Sequence, residues 1–155
     1  MQRIVLSIFC ILFFCAGCSP ITPNIHLQKQ TNQPSLTVTA ENVQITIQKQ
    51  ERIPVYEVWK AKRGDIFLVF QLSIKNHRNT SVLVSPSQFN VTSADGKIYG
   101  AFQTEKRLNM LQETRVKAYE EVQRNLLFEV PHTQSYIELV FTPHFIKNPV
   151  VFQLQ

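Results

Sequence analysis

Cysteine is absent from most of this 155-residue sequence, since its three cysteines are Cys10, Cys15 and Cys18. Beyond residue 18 the chain can therefore build neither a disulfide framework nor a cysteine-based zinc site. Glycine is also scarce, with four residues, which excludes collagen-like and Gly-rich linker proteins. Charged residues make up 17% of the chain and hydrophobic residues 44%, which excludes a disordered charged tail. The length and composition indicate one domain with an apolar core.

The first eighteen residues have the organisation of an export signal. Arg3 supplies a positive charge, an apolar run covers residues 4–14, and small residues follow up to Cys18. This order is typical of a secretory signal peptide. The apolar run is shorter than the roughly 20 residues that a membrane-spanning helix needs. The pattern therefore favours an exported protein over one with a transmembrane anchor helix.

The end of this segment carries Ala16-Gly17-Cys18, two small residues directly before a cysteine. It resembles a bacterial lipoprotein signal, although the usual leucine three residues before the cysteine is here Cys15. The resemblance implies cleavage after Gly17, lipidation of Cys18 and a membrane anchor of several acyl chains, which is stable. Because Ser19 is not the aspartate associated with inner-membrane retention, the outer membrane is expected in a Gram-negative organism. The alternative is an ordinary cleaved signal with an incidental cysteine.

Composition divides the chain into three parts. We predict a signal peptide at 1–17, the lipidated cysteine and a flexible tether at 18–34, and a β domain at 35–155. The tether is rich in proline, asparagine and glutamine and shows no apolar periodicity. From Ser35 onwards apolar residues recur with a period of two, which indicates half-buried strands.

The clearest strand is predicted at Ile66–Lys75. Its even positions are all apolar, and its odd positions change from Phe67 and Val69 to polar residues. This pattern predicts a central strand with one face in the core and the other face covered at its start. Asp95-Gly96 indicates a tight hairpin. About eight or nine short strands, spaced by roughly 8–12 residues, predict an all-β sandwich.

Five segments between Lys62 and Pro143 occur in a recognisable order. They are GD before IFLVFQLSIKN, then SPSQF, DGKIY, LLFEVP and IELVF. In this order they resemble an immunoglobulin-like domain-of-unknown-function family of exported bacterial proteins and lipoproteins, whose fold is similar to a mycobacterial extracellular immunoprotective antigen. The resemblance implies an immunoglobulin-like β-sandwich that is not an enzyme. That family usually has a proline and glycine turn where this chain has residues 117–121.

No constellation of reactive side chains stands out. The four histidines are scattered, and His132 and His144 flank a predicted strand, so a shared metal site would need the chain to fold back. There is no Gly-x-Ser-x-Gly nucleophile motif and no Gly-rich phosphate loop. We therefore expect no catalytic residues, no cofactor and no metal. Nucleic acid is not expected as a partner, because interleaved aromatic and basic residues are not evident.

The candidate partner-binding residues are Tyr56, Trp59, Lys60, Lys62 and Arg63, which precede the predicted central strand. Tyrosine, tryptophan and arginine are enriched at the energetic centres of interfaces. Packing against the core is the other interpretation of the two aromatic residues. The cations, like those at 75–78 and 106–107, are either a solvated surface or a contact for anionic lipid headgroups or envelope polymers.

These features predict a lipid-anchored cell-envelope protein whose domain binds or scaffolds another envelope component, either a protein or a polymer. The contact would use the basic loops or an exposed sheet edge, by β-strand addition. The alternative is a periplasmic or extracellular protein that binds a metal or a small ligand, for which His132 and His144 are the residues to test. An enzyme would instead require a pocket with convergent titratable groups.

Overall fold

The computed structural model describes residues 35–103 and 109–154. The predicted signal peptide, Cys18 and the predicted tether lie outside these residues. Twelve strands are present in the described part: β1 Leu36–Ala40, β2 Val43–Ile53, β3 Val55–Tyr56, β4 Trp59–Lys60, β5 Asp65–Asn76, β6 Val82–Val84, β7 Phe89–Ser93, β8 Ile98–Gly100, β9 Thr114–Val116, β10 Glu121–Pro131, β11 Tyr136–Phe141 and β12 Val150–Gln153. The same residues contain no helix long and apolar enough to cross a membrane.

Eight of these strands form two antiparallel four-stranded sheets. The first sheet has the order β1-β2-β5-β10 and the second has the order β12-β11-β7-β8. The remaining four strands form two short ribbons, β3 with β4 and β6 with β9. The predicted all-β sandwich is confirmed. The described residues contain twelve strands where the sequence predicts eight or nine, since β3, β4 and β9 were not predicted.

The core lies between the inner faces of the two sheets. Phe70 of β5 meets Phe128 of β10 edge to face, with ring centroids 5.8 Å apart. Phe89 of β7 stacks on Phe141 of β11 at 4.4 Å. All four rings are fully buried. Burial of these large apolar side chains is the main stabilising contribution to the sandwich.

Strand β5 is central in the first sheet, as its sequence pattern predicts. It pairs with β2 on one side and with β10 on the other. Leu68, Phe70, Leu72 and Ile74 point into the main core. On the opposite face Phe67 and Val69 are also buried, in a separate smaller cluster. The prediction that other residues cover the outer face of β5 near its start is therefore confirmed.

Two turns show how local sequence directs the chain. Gly96, at φ 81°, occupies the predicted Asp-Gly hairpin between β7 and β8. The Asp95 carboxylate accepts a hydrogen bond from Ser93 Oγ and pairs with Lys97 Nζ at 3.1 Å. These two contacts lower the pKa of Asp95, the serine hydrogen bond more than the lysine. The turn before β10 has no glycine, and there Tyr119 takes the left-handed conformation, at φ 62°.

Two short elements differ from the sequence expectation. The stretch 104–114 shows no alternation, yet its last residue begins β9. The β3–β4 ribbon lies in a stretch for which the sequence predicts no strand. Strands of two or three residues are too short to show a period of two, and they exist here because of their packing partners.

Arg52 joins the two sheets at the end of the sandwich where β5 begins. Its guanidinium donates to the carbonyl oxygens of His132 and Gln134, at 3.3 and 2.8 Å. It also lies over the ring of Tyr136, 5.7 Å from the centroid. The Tyr136 hydroxyl donates to the Pro131 carbonyl at 2.9 Å. Burial raises the pKa of Tyr136 to about 12.

This raised pKa predicts a loss of stability at high pH. The unfolded chain releases the Tyr136 proton near the ordinary pKa of 10.0, whereas the folded protein holds it to about 12. The contribution is therefore fully present below pH 10 and is lost as the pH rises through 12. Urea unfolding at a series of pH values should show this decline in the native chain and a smaller one in Tyr136→Phe. Equal declines in the two proteins would show that Tyr136 is not the source of the stability lost at high pH.

Candidate functional site

The candidate partner-binding residues of the sequence lie on or directly after the β3–β4 ribbon. In its register Val55 pairs with Lys60 and Tyr56 pairs with Trp59. The turn between the two strands includes Glu57, at φ 51°. Because side chains alternate along a strand, Tyr56 and Trp59 share one face and Val55 and Lys60 share the other.

The inner face of the ribbon packs on the outer face of the first sheet. Tyr56 stacks on Trp59 at 6.3 Å between centroids, and Trp59 meets Phe102 edge to face at 6.3 Å. Phe102 in turn meets Phe67 at 5.2 Å. The Asn125 side chain donates a hydrogen bond of 2.7 Å to the Tyr56 hydroxyl. Tyr56 and Trp59 are thus half-buried and hold the ribbon on the sheet.

The three cations of the site are exposed and differ in their partners. Lys62 Nζ lies 3.4 Å from Glu129 Oε2, and the Lys62 backbone N–H donates to Glu129 Oε1 at 2.8 Å. Lys60 and Arg63 form no ion pair with any residue the structure describes. Glu129 therefore offsets the charge of Lys62, whereas Lys60 and Arg63 have no such partner among the described residues, and Glu57 in the ribbon turn is the carboxylate next to them in the sequence.

Two exposed valines complete this surface. Val55 is 49% exposed and Val58 is 68% exposed. Together with Lys60 and Arg63 they form what we call the hairpin surface, which has two exposed valines, two cations and the exposed Glu57 in its turn. Sequence analysis identified the cations but missed the valines. No local signal could have found them, because strands of two residues are too short to show a period.

A shallow polar groove of about 170 Å³ runs beside Tyr56 across the first sheet. Lys49 and Glu51 form an ion pair of 2.6 Å at one wall, and Gln71 and Asn125 form the floor. The charged groups, the amides and the Tyr56 hydroxyl can hydrogen-bond a ligand. Among the described residues, the lining of this groove is completed by Val69 and includes no serine, cysteine or histidine.

The histidines are dispersed in the described part of the chain. His132, before β11, lies with Nδ1 2.7 Å from the Gly64 carbonyl, and His144 is exposed after β11. His77 Nε2 lies 3.3 Å from Gln44 Oε1. Residues 35–103 and 109–154 include no group of three or more histidine, cysteine, aspartate or glutamate side chains that could hold a metal ion. His26 lies outside the described residues.

The family is shown by the extent of a sequence match. The profile of the Domain of unknown function (DUF4352) matches residues 35–151, which is most of the chain and begins where the strands begin. The chain belongs to the DUF4352 family. The resemblance identified between Lys62 and Pro143 is thereby confirmed, and the match covers both sheets except the last two residues of β12. No curated protein matches the chain.

Solved structures share the fold of this DUF4352 domain. YcdA of Bacillus subtilis, described as a candidate lipoprotein, is 20% identical with a TM-score of 0.63, and the match covers 77% of this chain but 38% of YcdA. YjhA of Bacillus subtilis is 16% identical with a TM-score of 0.58, over 77% and 96%. The secreted protein MPT63 of Mycobacterium tuberculosis is 16% identical with a TM-score of 0.56, over 77% and 92%. At these identities the likeness establishes the β-sandwich alone.

Proposed function

We propose that this DUF4352 protein is an exported, lipid-anchored envelope protein whose sandwich binds another envelope component without catalysing a reaction. The observation that carries the proposal is the hairpin surface, where two valines stay exposed on a ribbon that aromatic packing holds in place. An exposed apolar side chain with charge beside it is typical of a contact site when several such residues adjoin. A rigid ribbon also loses little conformational entropy when a partner binds.

The charge of the surface selects the kind of partner. Lys60 and Arg63 attract a partner that presents carboxylates around an apolar contact, and such complementarity raises association rates. Val55 and Val58 would enter an apolar recess at the centre of the contact. A protein offers both features together, so an envelope protein with an acidic rim is the proposed partner.

The anchor in this proposal is the lipid on Cys18. Its support is the Ala16-Gly17-Cys18 sequence, together with a structural relative described as a candidate lipoprotein and another described as secreted. A lipidated Cys18 would keep the protein at the membrane, where an envelope partner is concentrated.

In-cell cross-linking tests the proposed contact. A photoreactive residue at Val58 in the full, anchored chain should give one saturable protein adduct, identified by mass spectrometry. In a Lys60→Glu/Arg63→Glu variant we expect the adduct to fall at least ten-fold, because the attraction becomes repulsion. The matched control is Lys147→Glu, an exposed cation on the segment between β11 and β12, which should leave the adduct unchanged.

A second arm tests the anchor separately. Cys18→Ser should move the protein from the membrane fraction to the soluble fraction and abolish labelling by a fatty-acid probe. Equal membrane association of the native and Cys18→Ser proteins would show that lipidation is wrong. An adduct that persists in the doubly reversed variant, or one that contains only cell-wall polymer or lipid, would overturn the proposed protein contact.

A further inference from the structure

Tyr119 occupies a backbone conformation that side chains disfavour. It is the third residue of a tight turn in which the Glu120 N–H donates to the Lys117 carbonyl at 3.2 Å. Its φ of 62° is left-handed, and glycine is the favoured residue at such a position. The side chain is 71% exposed and makes no hydrogen bond or ring contact with any described residue. The turn is held by the Glu120 carboxylate, which accepts a hydrogen bond of 2.7 Å from the Lys117 backbone N–H, and by the Asn76 N–H, which donates to the Glu120 carbonyl at 2.9 Å. Neither bond involves the Tyr119 side chain.

The ring of Tyr119 borders a concavity of about 410 Å³ at the end of the sandwich opposite the hairpin surface. Three turns form its walls, and they contribute Glu41, Asn42, His77, Arg78, Asn79 and Tyr119. Glu41 and Asn42 also have positive φ, because a two-residue hairpin between β1 and β2 requires it. The turn from Lys117 to Glu120 likewise accounts for the positive φ of Tyr119, but it does not account for a tyrosine, rather than a glycine, at that position. A volume of this size falls within the range of small-ligand sites.

A buried amide holds the walls of this concavity together. The Asn76 side chain is fully buried and donates to the carbonyl oxygens of Thr80, Val116 and Lys117, at 2.8, 3.2 and 2.9 Å. Its oxygen accepts a hydrogen bond of 3.0 Å from the Arg78 backbone N–H. The turns that carry Arg78 and Tyr119 are thus fixed relative to each other before any ligand arrives, as a binding site requires.

Arg78 determines the charge that the concavity recognises. Its guanidinium lies 5.8 Å from the centroid of the Phe145 ring and forms no ion pair with any residue the structure describes. A guanidinium held by its stacking face presents its N–H groups to a carboxylate. Glu41 on the rim disfavours a densely charged polyanion such as polyphosphate, so the ligand should carry isolated negative charges.

We propose that this concavity binds an acidic glycan, a polymer of sugar rings with a carboxylate on some rings. The exposed ring of Tyr119 stacks against the apolar face of a sugar, and Arg78 pairs with its carboxylate. The side-chain amides of Asn42 and Asn79, both exposed, hydrogen-bond the sugar hydroxyls. A ligand contact by a tyrosine in the left-handed conformation agrees with the tendency of backbone strain to occur at functional sites.

Calorimetric titration of the detergent-solubilised full chain tests this proposal with three probes: oligogalacturonate, neutral cello-oligosaccharide and poly-glutamate. We expect oligogalacturonate to bind at least ten-fold more tightly than either other probe. Tyr119→Gly and Arg78→Gln should each weaken that binding at least ten-fold, while Tyr119→Phe should retain it. Tyr119→Gly should at the same time keep or raise the melting temperature, because glycine relieves the strain.

The matched control is Glu57→Gly, which relieves a left-handed residue at the opposite end of the sandwich, at φ 51°. It should keep or raise the melting temperature and leave oligogalacturonate binding unchanged. The proposal is overturned if no probe binds, if the three probes bind equally, or if poly-glutamate binds best. It is also overturned if Tyr119→Gly binds like the native chain, or if Tyr119→Gly melts lower, since the tyrosine would then serve stability.

Discussion

We expect Phe70→Ala to lower the free energy of unfolding by about 4 kcal/mol, as for other buried phenylalanines. Phe70 is fully buried at the centre of β5 and contacts Phe128 of the neighbouring strand edge to face. Removing the ring loses its burial and leaves a cavity. The strands on both sides of β5 are paired along its length, so the walls can relax only partly.

Chemical denaturation of the purified domain measures this loss directly. The matched control is Ile98→Ala, an apolar side chain on β8 that is 70% exposed, for which we expect a change within about 0.5 kcal/mol. A Phe70→Ala loss no greater than that of Ile98→Ala would contradict the placement of Phe70 in the main core.

The second large effect is expected at Asn76. We expect Asn76→Ala to lower the free energy of unfolding by about 3 kcal/mol, because it leaves buried backbone groups without hydrogen-bond partners. The amide serves three carbonyl oxygens and one backbone N–H from two separate turns. Asn76→Asp should be at least as damaging, since a carboxylate accepts hydrogen bonds and cannot donate to carbonyl oxygens.

Denaturation combined with amide hydrogen exchange separates this effect from a simple loss of volume. In Asn76→Ala we expect the Arg78 amide, which donates to Asn76 Oδ1, to lose protection before the strands do. Asn79→Ala is the control, because Asn79 is exposed and its side chain has no hydrogen bond with a described residue. A stable Asn76→Ala protein with unchanged exchange at Arg78 would show that the amide does not organise these turns.

Both proposed contact surfaces depend on interior groups at opposite ends of β5. The hairpin surface rests on Phe67 and Val69 near the start of the strand, whereas the Tyr119 concavity rests on Asn76 at its end. Loss of one support should therefore leave the other surface intact, provided the sandwich remains folded. This separation allows the two proposals to fail independently.

The long strands could be predicted from the sequence because alternation is a local property. In β5 the change of the outward positions from Phe67 and Val69 to polar residues also predicted where a second layer covers the sheet. The Asp95-Gly96 turn was predictable for the same reason, since positive φ angles favour glycine whatever surrounds them. The class of fold followed from counting such elements.

The candidate site was only partly predictable. The cations Lys60, Lys62 and Arg63 are visible as a cluster, but the exposure of Val58 depends on how the ribbon lies on the sheet. The Tyr56 hydroxyl accepts a hydrogen bond from Asn125, which is 69 positions away in the chain, and no local pattern predicts that contact. The β3 and β4 strands are also too short for a period to be recognised.

What the sequence by itself determined about this protein is the arrangement of strand faces, the main hairpin and the signal-like segment before the domain. Side-chain direction and turn conformation follow from neighbouring residues, so they can be predicted from the sequence. Only the tertiary structure decided that Asn42, Arg78 and Tyr119 border one concavity and that Tyr56 and Trp59 face inward. Such groupings join residues from separate turns and strands, and they arise from packing and hydrogen bonds between segments that are distant in the chain.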